Sequence, residues 1–254
     1  MTTAEYVKQK WLLENLFQLQ AETNGILAGS SWIYGVTREN KKIDWDICII
    51  AETVELLNSI PWKHWADINA KPDYANIKVE VVDILHFVIS KILANDDGKK
   101  ILDKLTGLTS LCGIEHGDKP NNRDFALAED RCIEDIQNHC LTIIKQISNK
   151  NPIVDTFRRL FQIVEAIDYN IEDYTLIDVY KLFLGKTMLN RFRTKNGYKE
   201  GTYTKIWDGV EDNVCLQEII NKIPNEEFFK KLTNSKLDEQ IYQSLEEKYK
   251  YVRS

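Results

Sequence analysis

Apolar side chains recur at helical spacing along most of the chain, and this periodicity constrains the fold more than any other feature. Strict alternation of apolar and polar residues, which is typical of half-buried strands, is hard to find. The run Asp46–Ile50 has the apolar content of a strand, but no turn signal separates it from the residues that follow. The predicted helices cover residues 5–22, 44–59, 73–93, 126–148, 153–167, 175–194, 214–223 and 225–249. We therefore predict a single all-α domain over residues 1–254, a helical bundle.

Capping residues and helix breakers mark the predicted boundaries. Asp44 is a suitable N-cap for the second helix, and Gly197 follows the helix over 175–194 in the C′ position that favours glycine. The polar stretch from Asn24 to Lys42 is predicted to be a loop, with Gly25 as one of its markers. The lysine-rich segment Asn95–Leu105 is predicted to be a short linking element.

Composition argues against several classes of protein. A formal charge of −6 disfavours a protein that coats nucleic acid, because phosphate contacts need an excess of Lys and Arg. No stretch approaches the roughly 18 uncharged apolar residues of a membrane-spanning helix. The first residues, MTTAEYVKQKW, lack the apolar core of a signal peptide, and the five cysteines form no CxxC pair. We therefore expect a cytoplasmic protein with neither a nucleic-acid partner nor a membrane partner.

Two carboxylate pairs stand on consecutive predicted helices. Glu52 and Glu55 form an ExxE pair, and Glu80 and Asp83 form an ExxD pair. Residues three apart lie on the same face of a helix, so each pair projects its carboxylates in nearly one direction. Like charges among apolar neighbours are destabilising unless a cation neutralises them, and Mg²⁺ prefers hard oxygen ligands. The segment 44–93 is therefore a candidate Mg²⁺ site, with a solvated acidic helix face as the alternative.

A histidine raises a second metal hypothesis. His86 follows Asp83 at the same three-residue spacing, which is similar to the motifs of carboxylate di-iron bundles. Those bundles carry Glu-x-x-His twice, and no histidine follows Glu55 at the matching position. A single histidine on an amphipathic helix is more often a core residue or a support for its neighbours, so the di-iron hypothesis is the weaker one.

A basic segment lies far downstream, over about residues 176–213. Lys186, Asn190 and Arg193 share one helix face at i, i+4 and i+7, and Lys199 follows in a glycine-containing loop. Arginine binds phosphate oxygens bidentately, lysine acts as a point charge, and a carboxamide offers both a donor and an acceptor to a base. In an acidic chain this cluster indicates an anion site, with solvated surface charge as the alternative.

Three stretches of the chain carry a family resemblance. They are ETVELLNSIPWKHWADIN (52–69), NIKVEVVDILHFVIS (76–90) and KTMLNRFRTKNGYKEGTYTKIWDGVEDN (186–213). The chain resembles the dimeric all-α dUTPases, which belong to the MazG-like group of helical NTP pyrophosphohydrolases, over residues 12–93 and 176–213. ExxE with ExxD marks the whole group, whereas the WKHW and GYKEGTY segments are more specific to dUTPases. The resemblance implies a bundle of the all-α NTP pyrophosphohydrolase type.

The resemblance also implies an activity. The family hydrolyses dUTP, and often dUDP, to dUMP, with Mg²⁺ held by four carboxylates, here Glu52, Glu55, Glu80 and Asp83. A metal-activated water is the implied nucleophile, with Glu52 or Glu55 as its general base. A homodimer is expected, in which the partner subunit closes over the substrate.

Further site residues follow from the same resemblance. The implied phosphate-binding residues are Lys186, Arg193, Lys199, Tyr198 and Tyr203. The candidate base-binding residues are Gln20, Asn24, Asn190 and Trp62. The segment LQAETN resembles the family's LQxxLN, with Thr23 in place of leucine, and Asp212 and Asn213 match a C-terminal family element. Trp62 and Trp65 are candidates for stacking on a base, with burial in the turn at the helix end as the alternative.

Two other functions stay open at this point. One is a MazG-like pyrophosphohydrolase that acts on another nucleotide such as dCTP, because the Asn190 amide can turn to suit either base. The other is a non-catalytic helical binding module, whose carboxylates form an acidic face and whose melting does not respond to Mg²⁺.

Overall fold

The computed structural model describes residues 3–95, 125–232 and 236–253. The α-helices of these residues are α1 (Thr3–Ala28), α2 (Trp45–Asn58), α3 (Tyr74–Ala94), α4 (Phe125–Ser148), α5 (Ile153–Asn170), α6 (Leu176–Lys195), α7 (Asp212–Asn221), α8 (Asn225–Leu232) and α9 (Lys236–Arg253). A 3₁₀ helix over Ser30–Tyr34 follows α1, and β1 (Ile206–Trp207) pairs antiparallel with β2 (Val210–Glu211). The predicted all-α fold is therefore confirmed.

The helix ends show where the sequence signals succeed. The Asp44 carboxylate accepts from the backbone N–H of Ile47 and starts α2, which also contains the strand-like run 46–50. After α6, Gly197 has φ 89°, the Tyr198 N–H donates to Arg193 O at 3.0 Å, and Gly197 N–H donates to Thr194 O at 3.4 Å. This is the Schellman arrangement, and it turns the chain back across the end of α6.

The predicted boundary at Asn24 is wrong, because α1 continues through Gly25 to Ala28 and ends at Gly29, whose φ is 91°. Asn24 is only 7% exposed and binds Ser90 on α3, so its polarity serves a buried contact within a helix. The predicted linking element Asn95–Leu105 lies, beyond its first residue, outside the described residues.

Helix α3 occupies the middle of the packing. It contacts α1, α2, α5 and α6, and its buried positions run from Ile77 to Ile92 on nearly every side. Most of its residues are apolar, as expected for a helix that is buried on nearly every side. Helix α6 packs against α1, α3, α7 and α9, and Gly185 allows α7 to approach closely, since a Cβ there would lie 2.8 Å from Ile220 Cδ1. The acidic residues of α3 therefore come beside the basic residues of α6.

None of the described helices combines the length and the apolar character that crossing a bilayer requires.

Candidate functional site

An open cavity of about 750 Å³ lies among α1, α2, α3, α6 and the chain that follows α6. This volume is within the range of small-molecule sites. Most of the predicted site residues line it, namely Gln20, Asn24, Glu52, Glu55, Glu80, Asp83, Lys186, Asn190, Arg193, Tyr198 and Lys199. Trp62 and Tyr203, also predicted for the site, do not line this cavity. The structure thus gathers residues more than 170 positions apart in the sequence.

The carboxylates of Glu52, Glu80 and Asp83 form one cluster, with a carboxylate oxygen of each residue within 4.8 Å of the others. Glu80 is only 6% exposed, and its Oε2 receives no hydrogen bond from a described residue. The Asn76 amide donates to the other oxygen of Glu80 at 3.2 Å. Glu55 is exposed and lines the same cavity at its edge.

Burial and mutual repulsion change the acidity of this cluster. Burial, followed by the charges of Asp83 and Glu55, raises the pKa of Glu52 to about 7. Burial, followed by the charges of Asp83 and Glu52, raises the pKa of Glu80 to about 8. The nearby Lys186 ammonium opposes both shifts. At neutral pH the cluster therefore retains protons, which a bound cation would displace.

Lys186 joins the acidic and basic parts of the cavity. Its side chain is 3% exposed, and its Nζ lies 2.8 Å from an Asp83 carboxylate oxygen. The same ammonium donates to Asn213 Oδ1 at 3.0 Å. The lysine predicted to bind phosphate thus lies directly beside the carboxylates predicted to bind metal.

Arg193 is held by a fully buried carboxylate. Its Nε and Nη2 donate to the two oxygens of Asp212 at 2.8 and 2.7 Å, and the Tyr203 hydroxyl donates to the same carboxylate at 2.7 Å. Two parallel charge-assisted hydrogen bonds fix the plane of the guanidinium. Tyr203 therefore contacts the group that orients Arg193.

Residues of the loop after α6 form the rim of the cavity. Lys199 Nζ donates to Glu39 Oε1 at 2.9 Å and to Leu27 O at 3.1 Å. The Tyr198 ring lies 5.9 Å from the Arg193 guanidinium carbon. Both lysines predicted to bind phosphate, at positions 186 and 199, are paired with protein acceptors in this structure.

A buried polar network connects α1 to α3 beside the carboxylates. Gln20 Nε2 donates to Asn24 Oδ1 and to Ser90 Oγ, each at 2.9 Å, and Asn24 Nδ2 donates to the same hydroxyl at 2.9 Å. Ser90 Oγ donates to His86 O at 2.7 Å, and His86 Nδ1 lies 2.5 Å from Gln20 Oε1. His86 lines the cavity and stacks on Phe183 with ring centroids 3.8 Å apart.

His86 belongs to this network and is not a member of the carboxylate cluster. Burial, with a further contribution from the Lys186 charge, lowers the pKa of His86 to about 3, so its imidazole is neutral. Its position against Gln20 gives no support to the di-iron hypothesis.

The WKHW segment projects from the bundle. Trp62 and Trp65 are 40% and 66% exposed, with ring centroids 5.6 Å apart, so the alternative that places them in a buried turn is wrong. The reason is that the connection between α2 and α3 lies on the surface. A second cavity of about 500 Å³, lined by Lys63, adjoins the first and shares Glu55, Asn76 and Glu80 with it.

Sequence reasoning missed Ser90 and Asn76, and it treated His86 as a metal ligand, a core residue or a support for its neighbours without identifying Gln20 as its partner. A usable signal was present for two of them. His86 and Ser90 are polar residues four apart within a helix that is otherwise apolar on nearly all sides, and buried polar groups require partners.

The fold and the cavity define an all-α bundle that brings buried carboxylates into contact with lysine and arginine, an arrangement suited to a phosphorylated ligand. A family model described as dUTPase matches residues 12–198, about three quarters of the chain, and the chain belongs to this all-α dUTPase family. It is accordingly an enzyme, a dUTP diphosphatase of nucleotide metabolism. The family generally depends on a divalent metal. No curated protein matches the chain.

Proposed function

We propose that the cavity between α1, α2, α3 and α6 hydrolyses dUTP, and also dUDP, to dUMP with Mg²⁺ held by Glu52, Glu55, Glu80 and Asp83. The observation that carries this proposal is the cluster of three carboxylates within 4.8 Å, two of them with raised pKa, beside the buried Lys186. Both nucleotides contain the α–β phosphoanhydride bond, so one site can release either pyrophosphate or phosphate.

The donor set fits Mg²⁺. Every group in the cluster offers carboxylate oxygen, the ligand type that Mg²⁺ prefers, and the buried Glu80 Oε2 lacks a donor among the described residues. When bound, Mg²⁺ neutralises phosphate charge and lowers the pKa of a coordinated water. Glu55, at the exposed edge of the cavity, is the fourth proposed ligand.

Glu52 or Glu55 is the proposed general base. The water donates its proton to this carboxylate as its oxygen attacks phosphorus, and the bridging oxygen leaves with the pyrophosphate of dUTP or the phosphate of dUDP. A general base must lie within hydrogen-bond reach of the proton that it accepts, and both carboxylates line the cavity.

The basic residues are proposed to bind the phosphates. Lys186 and Lys199 would exchange their present carboxylate partners for phosphate oxygens, while Arg193 stays oriented by Asp212. Tyr198 lines the same cavity as these residues, and Tyr203 contributes through its hydrogen bond to Asp212. A preorganised donor such as Arg193 stabilises the charge that develops on the leaving group.

The base is proposed to lie against the amides of Gln20, Asn24 and Asn190, with Trp62 covering it from the loop between α2 and α3. We further propose a cytoplasmic homodimer whose partner subunit closes the open side of the cavity. The exposed Trp65 and Ile68 in that loop, 66% and 96% exposed, offer apolar surface for such a contact. Sedimentation velocity would test the dimer directly.

The test of the proposed function is a substrate panel. Product release is measured from dUTP, dUDP, dCTP, dTTP and UTP, each with Mg²⁺ and with EDTA. Mg²⁺-dependent release from dUTP and dUDP alone is the expected result. Equal rates on all bases would discard the uracil selectivity and favour the broader pyrophosphohydrolase, and no release from any nucleotide would favour a binding module.

A further inference from the structure

We propose that Ser90 is a positioning residue that sets base selectivity, by fixing the amide of Gln20 and, through it, the tautomer of His86. This inference rests on the proposed function, since it concerns the base site of that reaction. Ser90 is fully buried on α3 and does not line the cavity, so its effect must pass through its hydrogen bonds.

The proton of the Ser90 hydroxyl decides which atoms can surround this hydroxyl. A serine hydroxyl has one proton and two acceptor lone pairs. The proton is donated to His86 O, four residues earlier on the same helix, at 2.7 Å. Any other polar atom at hydrogen-bond distance from Ser90 Oγ must therefore be a donor.

The Ser90 hydroxyl fixes the orientation of two amides. One terminal atom each of Gln20 and Asn24 lies 2.9 Å from Ser90 Oγ, so both atoms must be the NH₂ nitrogens. These two bonds use both lone pairs of the hydroxyl. The orientation of Gln20 is fixed as a result, and its carbonyl oxygen must face His86.

The orientation of Gln20 in turn fixes the tautomer of His86. The imidazole is neutral, so one ring nitrogen carries a proton and the other is an acceptor. Nδ1 lies 2.5 Å from the Gln20 oxygen, which can only accept, so the proton is on Nδ1. Nε2 is then a bare acceptor, and it has no hydrogen-bond partner among the described residues.

In this tautomer His86 can distinguish uracil from cytosine. N3 of uracil carries a hydrogen and can donate to His86 Nε2, whereas N3 of cytosine is an acceptor and would face another acceptor. A buried polar group left unpaired by the wrong ligand discriminates strongly. If Gln20 turned over, its NH₂ would donate to Nδ1, the proton would move to Nε2, and the preference would shift toward cytosine.

The first measurement is the tautomer itself, from the ¹⁵N chemical shifts of the His86 ring nitrogens in the substrate-free protein, assigned by comparison with His86→Gln. We expect a single tautomer protonated at Nδ1 in the wild type and a loss of that single state in Ser90→Ala. Protonation at Nε2 in the wild type would overturn the inference.

The second measurement is the ratio of kcat/KM for dUTP to kcat/KM for dCTP. We expect Ser90→Ala to lower this ratio about tenfold, the effect of one hydrogen bond of about 1.4 kcal/mol. Ser90→Thr, which keeps the hydroxyl, should restore the ratio. Thr156→Val removes another buried hydroxyl, on α5 and outside the cavity, and should leave the ratio unchanged.

A ratio that stays constant in Ser90→Ala while both rates fall would make Ser90 merely structural and overturn the inference. Failure of the proposed function is separate and distinguishable: it would appear as a wild type that hydrolyses neither nucleotide, while the ring-nitrogen shifts still decide the tautomer.

Discussion

The acidic and the basic parts of the cavity differ in how their charges are compensated. Three of the basic side chains that line the cavity each have a carboxylate partner, Asp83 for Lys186, Asp212 for Arg193 and Glu39 for Lys199. Glu52 and Glu80 instead lie in one carboxylate cluster, where burial, followed by repulsion from the neighbouring carboxylates, raises both pKa values. These basic side chains are therefore charge-paired before ligand binds, whereas the acidic part needs a cation to become fully ionised.

The largest expected effect comes from the acidic part. Glu52→Gln removes a proposed metal ligand and general base, and turnover of dUTP should fall by about 10²–10⁴. The metal-free protein should keep its free energy of unfolding, because the substitution also relieves like-charge repulsion in a buried cluster. Steady-state kinetics and urea unfolding together check both halves of this prediction.

Turnover near the wild-type rate in Glu52→Gln would remove this residue from the mechanism. A loss of folding along with turnover would mean that the carboxylate is structural, and the contrast with the basic part would disappear.

A loss of unfolding free energy is expected, by contrast, where a buried charge already has its partner. Asp212→Asn breaks the buried pair with Arg193 and should cost about 3–5 kcal/mol of unfolding free energy, because it leaves an uncompensated buried charge. Urea unfolding measures this loss. The matched control is Asp155→Asn, which breaks a partly exposed pair with Arg158 and should change stability by about 0.5 kcal/mol or less.

If Asp212→Asn and Asp155→Asn gave similar small losses, the basic part would not be organised by its buried partner. The role proposed for Tyr203, which acts through Asp212, would then fail with it.

Much of the fold is predictable from local signals. The 3.6-residue period predicts the helices, and Asp44 and Gly197 mark two of their ends because capping is a local interaction. A further local signal went unused: Asp208-Gly209, both with positive φ, forms the turn between β1 and β2, as Asp-Gly does in two-residue hairpins.

The end of α1 shows where local reasoning stops. A glycine and polar residues predict a loop from Asn24, yet α1 continues to Ala28 because Asn24 is satisfied by Ser90, 66 positions away. No local pattern contains that contact, and buried polar groups are stable only when such partners exist.

In the site, too, local spacing predicts some features, and others depend on contacts between distant residues. Spacing of three residues predicts that Glu80 and Asp83 share a face, but it does not predict that Lys186 lies against Asp83 or that Arg193 is held by Asp212. Those contacts depend on how α6 packs beside α3 and on the turn after α6. The roles of the individual site residues stay predictions until they are tested.

The most direct test of the account is calorimetric titration of the metal-free protein with Mg²⁺, in two buffers of different ionisation enthalpy. Because Glu52 and Glu80 have pKa values of about 7 and 8, we expect Mg²⁺ binding at pH 7 to release protons, and this release to fade by about pH 9, where both carboxyls are already ionised. Glu52→Gln should weaken binding and reduce the release. Absence of Mg²⁺ binding would contradict the claim that this carboxylate cluster is the metal site. Mg²⁺ binding that releases no protons and has the same affinity in Glu52→Gln would contradict it too.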